Sequence, residues 1–347
     1  MKMYKARSVW FFVIALLSLP MLGGCRNEAT YLSGEAQGTT WHITIADRAD
    51  APAVRAAVQR RLHEIDLALS NYQSDSELMR FNRAPPGQWI ALGPDLYHVL
   101  KSSERISRLS DGAFDITVAP LIDLWGFGPQ PVDPQHPPSQ HHDHVPDDAA
   151  IAAARARVGF RFLEVDAGEP RARKQRDLSI DVNGIAQGYT VDVLADLLAG
   201  MGYKNFLVEV GGELRLAGLS PRHTPWRVAI AKPSDDAEEA QQGIAGSGIG
   251  ITTAGDYHAY FERDGKRYSH TIDPATGRPI EHKLASVTVI AASAEYADGM
   301  DTVLEVLGPE RGYELAERLG LAAFFIVRDG DRFQTRSTRA FESYAAP

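Results

Sequence analysis

The 347 residues contain one cysteine, Cys25. A single thiol excludes an internal disulfide. Long hydrophobic runs are missing too. The apolar stretch Val9–Leu22 is too short for a comfortable membrane span. Basic charge is in the minority, with 36 Lys+Arg against 45 Asp+Glu and a net charge of −9, and it forms no cluster. Nucleic acid is therefore not an expected partner. The chain shows no repeat of fixed period and no Pro/Gly linker long enough to divide it. With 44% hydrophobic and 23% charged residues it has an ordinary globular composition. Its length allows one large domain or two lobes with a substantial core.

The N-terminus reads as a targeting segment rather than as part of the fold. Lys2, Lys5 and Arg7 form a positive n-region, Val9–Leu22 an apolar h-region, and Leu22-Gly23-Gly24-Cys25 closes it. That ending resembles a bacterial lipoprotein box, in which the cysteine becomes the lipidated first residue. Residues 1–24 are then a signal peptide, Cys25 the lipidation site and 25–36 a polar tether. Acyl chains on Cys25 would hold an exported protein on a membrane without a transmembrane helix.

Beyond the tether, Gly38–Ile45 alternates apolar residues as a strand does, and Val54, Val58, Leu62, Ile65 and Leu69 recur at helical spacing. A short helix is expected within Asn71–Asn82, and a longer one through Leu96–Ile106. Residues 129–148 are rich in proline and carry His136, His141, His142 and His144. A solvated surface loop is favoured there over a zinc tract. Asp147 is expected to cap a helix through Val158. Strands are expected near Phe162–Val165 and Leu178–Asp181, then a helix carrying Val191, Leu194, Ala195, Leu198 and Met201 and stopped at Gly202. The second half reads mainly as strands: Phe206–Val210, Trp226–Ala231, Ile249–Thr253, Tyr257–Glu262 and Arg267–Ile272. An acidic loop, Ser234–Gln242, interrupts them, and Asp264-Gly265 is a hairpin turn. A strand at Ser286–Ala291 leads to a helix capped by Ser293 and ended by Gly308. A helix Glu310–Leu319 and a strand Ala322–Val327 follow. This mixture predicts an α+β fold.

Three groups of residues could carry chemistry. Asp298, Asp301 and Thr302 lie three and four positions apart, so a helix puts them on one face. Two carboxylates and a hydroxyl are hard ligands suited to Mg²⁺ or Ca²⁺, although alone the pattern is more often a solvated polar face. Gly184 and Gly188 open a helix after Asp181, where free N–H groups and the helix dipole favour an anion. The spacing is neither Gly-x-Gly-x-x-Gly nor a P-loop, and glycine there also eases a tight turn. His270 stands at a strand end before a turn shaped by Pro274 and Gly277, and Asp273 could orient the imidazole or cap the turn.

The motifs taken in order resemble the FAD:protein FMN transferase family, the ApbE-type flavin transferases. They are Gly38-Thr-Thr, Tyr72-x-x-Asp-Ser-Glu-Leu-x-Arg-Phe-Asn82, Gly112-Ala-Phe-Asp115 with Leu124-Trp-Gly-Phe-Gly128, Asp181-x-x-Gly-Ile-Ala-x-Gly-Tyr189, Val210-Gly-Gly212, His270-x-Ile-Asp-Pro-x-Thr-Gly-Arg-Pro279 and Ala297-Asp-x-x-Asp-Thr302. The resemblance covers nearly the whole chain after the tether. It implies a single two-lobed α+β domain over 37–342, with mixed, largely antiparallel sheets flanked by helices. It also implies Mg²⁺-dependent transfer of FMN from FAD to a Thr or Ser hydroxyl of a target protein, with release of AMP. By resemblance, Mg²⁺ is held by Asp298, Asp301, Thr302 and a carbonyl at Gly184. FAD contacts Gln37, Tyr72, Ala113, Phe114, Asp115, Asp181, Gln187 and Ile272, and His270 is the catalytic histidine. Gln37 stands where many members have Met, Gly184 replaces Thr or Ala, and Gln187 replaces a charged residue. Membrane respiratory subunits are the acceptors that the resemblance suggests, and the periplasmic side of the inner membrane is the expected location. An Mg²⁺-dependent FAD pyrophosphatase or a non-catalytic FAD-binding lipoprotein would use much of the same site.

Overall fold

The structure is a computed structural model that describes residues 29–129, 145–233, 239–255, 260–330 and 332–346. The signal peptide, Cys25, the four histidines between 136 and 144 and residues 234–238 of the acidic loop lie outside the described residues.

One eight-stranded sheet organises the chain. Its order is Thr30–Ala36, Thr39–Ile45, Phe206–Val210, Glu213–Ala217, Ile249–Gly255, Leu284–Ala291, Ala322–Asp329, Arg332–Ser337, and every neighbouring pair is antiparallel. Seven α-helices run in chain order among the described residues: α1 Ala51–Leu69, α2 Glu77–Arg83, α3 Pro94–Leu109, α4 Ala119–Leu124, α5 Asp148–Arg155, α6 Asn183–Gly200 and α7 Ala294–Leu319. Helices α6 and α7 pack on each other and against the sheet. The other sheet face is covered by a three-stranded sheet of Trp226–Ala231, Ala240–Gly246 and Ala345–Ala346.

Strand alternation sorts side chains between these two covers. On Ala322–Asp329, Ala323 and Phe325 join the core beneath α7, while Ala322, Phe324 and Ile326 join the core beneath the small sheet. Leu216, Ile249 and Ile251 belong to the second core. Their strand neighbours Glu213, Arg215, Gly250 and Thr252 therefore face α6 and α7. Gly250 demonstrates this, because a Cβ there would lie 2.3 Å from the backbone nitrogen of Ala294.

A smaller cluster of Leu121, Trp125, Ile151, Phe261 and Ile272 forms where α4 and α5 meet the hairpin Tyr260–Arg263/Lys266–Ser269. The expected turn is present in that hairpin, with Asp264 at φ 51° and Gly265 at φ 74°.

The structure corrects several expectations. The polar tether does not reach Ala36, because Thr30–Ala36 is an edge strand paired with Thr39–Ile45. Only Leu32 of that strand is buried, so a strand with one solvated face reads as polar. Its turn is Gln37-Gly38, with φ 53° and 73°. The segment Leu178–Asp181 is not a strand. Its backbone is satisfied instead by the Asn82 side chain, whose Oδ1 accepts from Ile180 N at 2.8 Å while Nδ2 donates to Ile180 O at 2.9 Å. The strand near there is Arg171–Lys174, hidden in the sequence because its buried residues are Ala172 and a lysine. Strand Ala240–Gly246 cuts into the expected acidic loop, and Arg332–Ser337 was not foreseen. Helix α5 ends at Arg155, short of Val158. Helix α7 is broken at Gly308, at φ 79° and ψ −178°, before Pro309, so the two expected helices meet end to end.

Candidate functional site

Helix α7 begins where expected. The Ser293 hydroxyl accepts from Tyr296 N at 3.2 Å. A second cap comes from α6, where Asp192 accepts from Ala294 N at 3.0 Å and from Glu295 N at 2.9 Å. Arg215 pairs with Asp192 from the sheet at 3.2 Å. These contacts fix the first turn of α7 and so the face that carries Asp298, Asp301 and Thr302. Nothing in the sequence singles out Asp192, which lies between two valines of an apolar helix.

The α6–α7 crossing brings together the residues that the sequence grouped. Gly188 N donates to Asp298 Oδ2 at 2.8 Å. Thr302 Oγ1 donates to the Gly184 carbonyl at 3.4 Å. A Cβ on Gly184 would meet Thr302 Oγ1 at 3.1 Å and Phe114 Cε2 at 3.4 Å, so the Phe114 ring borders the same point. At Gly184 the backbone departs from helical values, with φ −77° and ψ 15°. Val182, the cap residue of α6, supplies no side-chain hydrogen bond to the helix start. The Asp181 carboxyl caps that end instead, its Oδ1 accepting from Asn183 N at 2.8 Å.

Asp298 and Asp301 are buried, 6% and 2% exposed. Burial pushes the Asp298 carboxyl up to about 7, opposed by the Gly188 amide and reinforced by Glu295 and Asp192. Asp301 is held well above the carboxylate range by burial first and the Asp298 charge second. The charges that act most on these carboxyls are acidic: Glu295 and Asp192 on Asp298, and Asp298, Glu213 and Glu305 on Asp301. Among the described residues, no three His, Cys, Asp or Glu side chains converge as a ligand cluster. The available donor set is two carboxylates, a hydroxyl and a carbonyl. Hard oxygens around uncompensated buried negative charge fit a small divalent cation that keeps several waters.

The expected flavin contacts surround this point unevenly. Asp181 is buried, and its carboxyl is pushed up to about 6 by burial, with the Asn183 amide opposing. Tyr72 is exposed, with its phenol raised by local desolvation first and by the Asp181 charge second. Asp115 is committed to the fold. Its Oδ1 accepts from the Thr117 amide at 2.8 Å and hydroxyl at 2.7 Å, and its Oδ2 accepts from Phe160 N at 2.8 Å. The Ala113–Asp115 turn therefore offers backbone and the Phe114 ring rather than a free carboxylate. The Gln37 side chain bonds Thr190 at 3.1 Å, and Gln187 Nε2 lies 2.6 Å from where a Cβ of Gly211 would be. Ile272 is buried in the small cluster beside α4 and α5.

His270 is half-buried, edge-on to Phe127 with ring centroids 6.4 Å apart. Its neighbour Thr271 donates to Glu305 Oε2 on α7 at 3.0 Å, which ties the histidine segment to the helix bearing Asp298. Asp273 serves the turn, accepting from Ala275 N at 2.8 Å through its side chain and from Gly277 N at 2.8 Å through its carbonyl. Sequence reasoning missed Glu213 and Thr252, two buried polar residues on the sheet face beneath α7. The strand alternation that marks them could have been read from Leu214, Leu216, Ile249 and Ile251.

Comparison with known proteins agrees with this architecture. The ApbE family model matches residues 37–325. A Vibrio cholerae protein named FAD:protein FMN transferase is 40% identical over 338 residues, covering 96% of this chain and 98% of its own. One of the same name from Klebsiella pneumoniae is 42% identical, covering 96% and 97%. Among solved structures, the apo form of Pseudomonas stutzeri flavinyl transferase ApbE matches with a TM-score of 0.81 and 42% identity, covering 91% of this chain and 96% of its own. Flavin transferase ApbE from Vibrio cholerae matches with a TM-score of 0.82 and 38% identity, covering 91% and 99%. With a family model matching residues 37–325 and relatives 40% and 42% identical over nearly the whole chain, the chain belongs to the ApbE family.

Proposed function

We propose that this chain is an FAD:protein FMN transferase that moves FMN from FAD to a hydroxyl of a target protein and releases AMP. The supporting observation is the convergence of the Gly184 carbonyl, Thr302 Oγ1 and the buried Asp298 at the N-terminus of α6. Together with Asp301, these oxygens would hold Mg²⁺, which when bound supplies positive charge against a diphosphate. The exposed Tyr72, whose phenol feels the Asp181 charge, offers aromatic surface for a flavin ring. His270 is the general base. It takes the proton of the acceptor Thr or Ser as that oxygen bonds the FMN phosphorus, and the bond to the AMP oxygen breaks. Holding His270 through Thr271 and Glu305 on the metal-binding helix keeps base and phosphate in one frame.

We further infer that the protein is exported and lipid-anchored through Cys25 on the periplasmic side of the inner membrane, where membrane respiratory subunits would be its acceptors. The support is the n-region, the apolar run and Leu22-Gly-Gly-Cys25 in the sequence. No helix of the described residues is long and apolar enough to cross a membrane.

Intact-mass analysis of a candidate acceptor after incubation with the protein, FAD and Mg²⁺ tests the activity. The expected result is one added FMN per acceptor and one AMP released. FMN and AMP formed from FAD at the same rate with no mass added to any acceptor would make the chain a pyrophosphatase instead.

A further inference from the structure

Glu213 has no role in the chemistry described so far, yet its position is unusual. It is 7% exposed, and its Oε2 is buried with no hydrogen-bond partner. An unpartnered buried carboxylate oxygen is costly and rarely kept without a use. Leu216 of the same strand enters the core beneath the small sheet, so alternation turns Glu213 toward α6 and α7. Arg215 shares that face but is taken by Asp192. The charged groups that bear on Glu213 are acidic: after burial, the Asp298 charge is the strongest influence holding its carboxyl well above the usual range, opposed by a hydrogen bond from its own backbone amide. Glu213 in turn acts on Asp301. On the neighbouring strand, Thr252 is 1% exposed, with its hydroxyl beside Asp301 but outside hydrogen-bonding geometry. Two orphaned polar groups thus line the sheet side of the Asp298–Asp301 pair, on strands already paired at Leu214–Ile251.

A third buried acid beside two others makes the metal-free fold less stable at neutral pH, so packing alone does not explain it. Glu213 is also not part of a three-acid ligand cluster. A small divalent cation held by few protein oxygens retains water, and such water needs acceptors around it. We propose that Glu213 is a positioning residue of the metal centre, its carboxylate accepting hydrogen bonds from water on an ion held by Asp298 and Asp301. This rests on the magnesium site proposed above. Thr252 completes the same water-facing wall.

The test compares wild type, Glu213→Gln and Glu213→Asp as full chains, by Mg²⁺ titration calorimetry and by melting in EDTA. Glu213→Gln keeps the shape and removes the charge. It should weaken Mg²⁺ binding by about 10- to 100-fold, the usual loss for an outer partner of a metal site. The same variant should melt higher than wild type in EDTA, since the cost of burying an ionisable carboxyl is gone. Glu213→Asp retains the charge and should recover part of the affinity. A glutamate that only supports the fold would lower the EDTA melting point and leave Mg²⁺ affinity alone, which would overturn the proposal. Equal Mg²⁺ affinity in Glu213→Gln and wild type would overturn it while leaving the magnesium site standing. A wild type that binds no Mg²⁺ would overturn both.

Discussion

The Gly188 amide donates to the Asp298 carboxylate at 2.8 Å, and the same glycine lets α6 lie directly against the first turn of α7. A Cβ at Gly188 would be 2.4 Å from the Ala294 carbonyl oxygen and 2.7 Å from Asp298 Cβ. One backbone position thus sets both the helix separation and the direction of a candidate ligand.

Gly188→Ala therefore puts two effects in opposition. Alanine is favoured over glycine within a helix by about 1 kcal/mol. Forcing a methyl against backbone that cannot rotate away costs about 1–3 kcal/mol or more. The clash is with main chain, so it wins, and the net loss should be roughly 1–2 kcal/mol. Calorimetry should show a lower Tm, and the stabilisation given by Mg²⁺ should shrink because Asp298 is displaced. A variant as stable as wild type, with unchanged response to Mg²⁺, would contradict the close crossing.

The pH dependence of the metal-free protein follows from the buried acids. Asp298 is raised from the ordinary range to about 7, and Asp301 and Glu213 move the same way. Between the unfolded and folded values, the folded chain holds more protons than the unfolded chain. Stability is therefore fully present at low pH and is lost as pH rises through about 7. In EDTA, the acids' contribution to Tm should decline from pH 5 to pH 7.5, and the gain on adding Mg²⁺ should grow over the same interval. Asp298→Asn should flatten both trends. A Mg²⁺ effect independent of pH would show that these carboxyls do not meet the ion.

Much of this was legible in the sequence, for identifiable reasons. Helices α1 and α3 show in the 3.6-residue spacing of Val54–Leu69 and Leu96–Ile106, since each buries one face. Phe206–Val210 and Trp226–Ala231 were read at their observed bounds because β-branched and aromatic residues fill them. The edge strand Thr30–Ala36 was not legible, having one buried large side chain. Nor was the Leu178–Asp181 stretch, whose apolar residues are buried without a ladder because Asn82 substitutes for one. At the site, residues within one helix turn were found by spacing: Asp298, Asp301 and Thr302. Their partners Gly188, Asp192, Glu213 and Thr252 lie far away in sequence and are joined only by the α6–α7 crossing and the sheet beneath it.

The anchor carries its own prediction. Cys25 follows Leu22-Gly-Gly and is the one cysteine of the chain. Cys25→Ser should abolish acylation and move the protein from the membrane fraction to the soluble fraction on cell fractionation. Soluble activity on a detergent-free acceptor should stay the same, since the proposed site residues all lie C-terminal to Thr30–Ala36, the first described strand. A Ser variant that sediments with membranes as wild type does would locate the anchor elsewhere.

His270 gives the sharpest division between binding and chemistry. Its ring meets Phe127 edge-on, and its neighbour Thr271 is tied to Glu305, so it is held against α7 from one side. A base acts only as the proton moves, whereas the groups proposed to bind FAD around Gly184 and Tyr72 would act before and after. His270→Ala should therefore lower kcat about 10²- to 10⁴-fold, the usual value of a positioned base. The FAD dissociation constant should change little, as expected for an interaction made only in the transition state. Equilibrium binding of FAD, followed by flavin fluorescence beside single-turnover transfer to the acceptor, separates the two quantities. Thr271→Val tests the tether independently. It leaves the imidazole in place but removes the Thr271–Glu305 hydrogen bond to α7, and it should cost part of kcat with FAD binding again intact. If His270→Ala transfers FMN at the wild-type rate, another residue takes the proton; if its defect is confined to FAD affinity, His270 belongs to the binding wall beside Phe127.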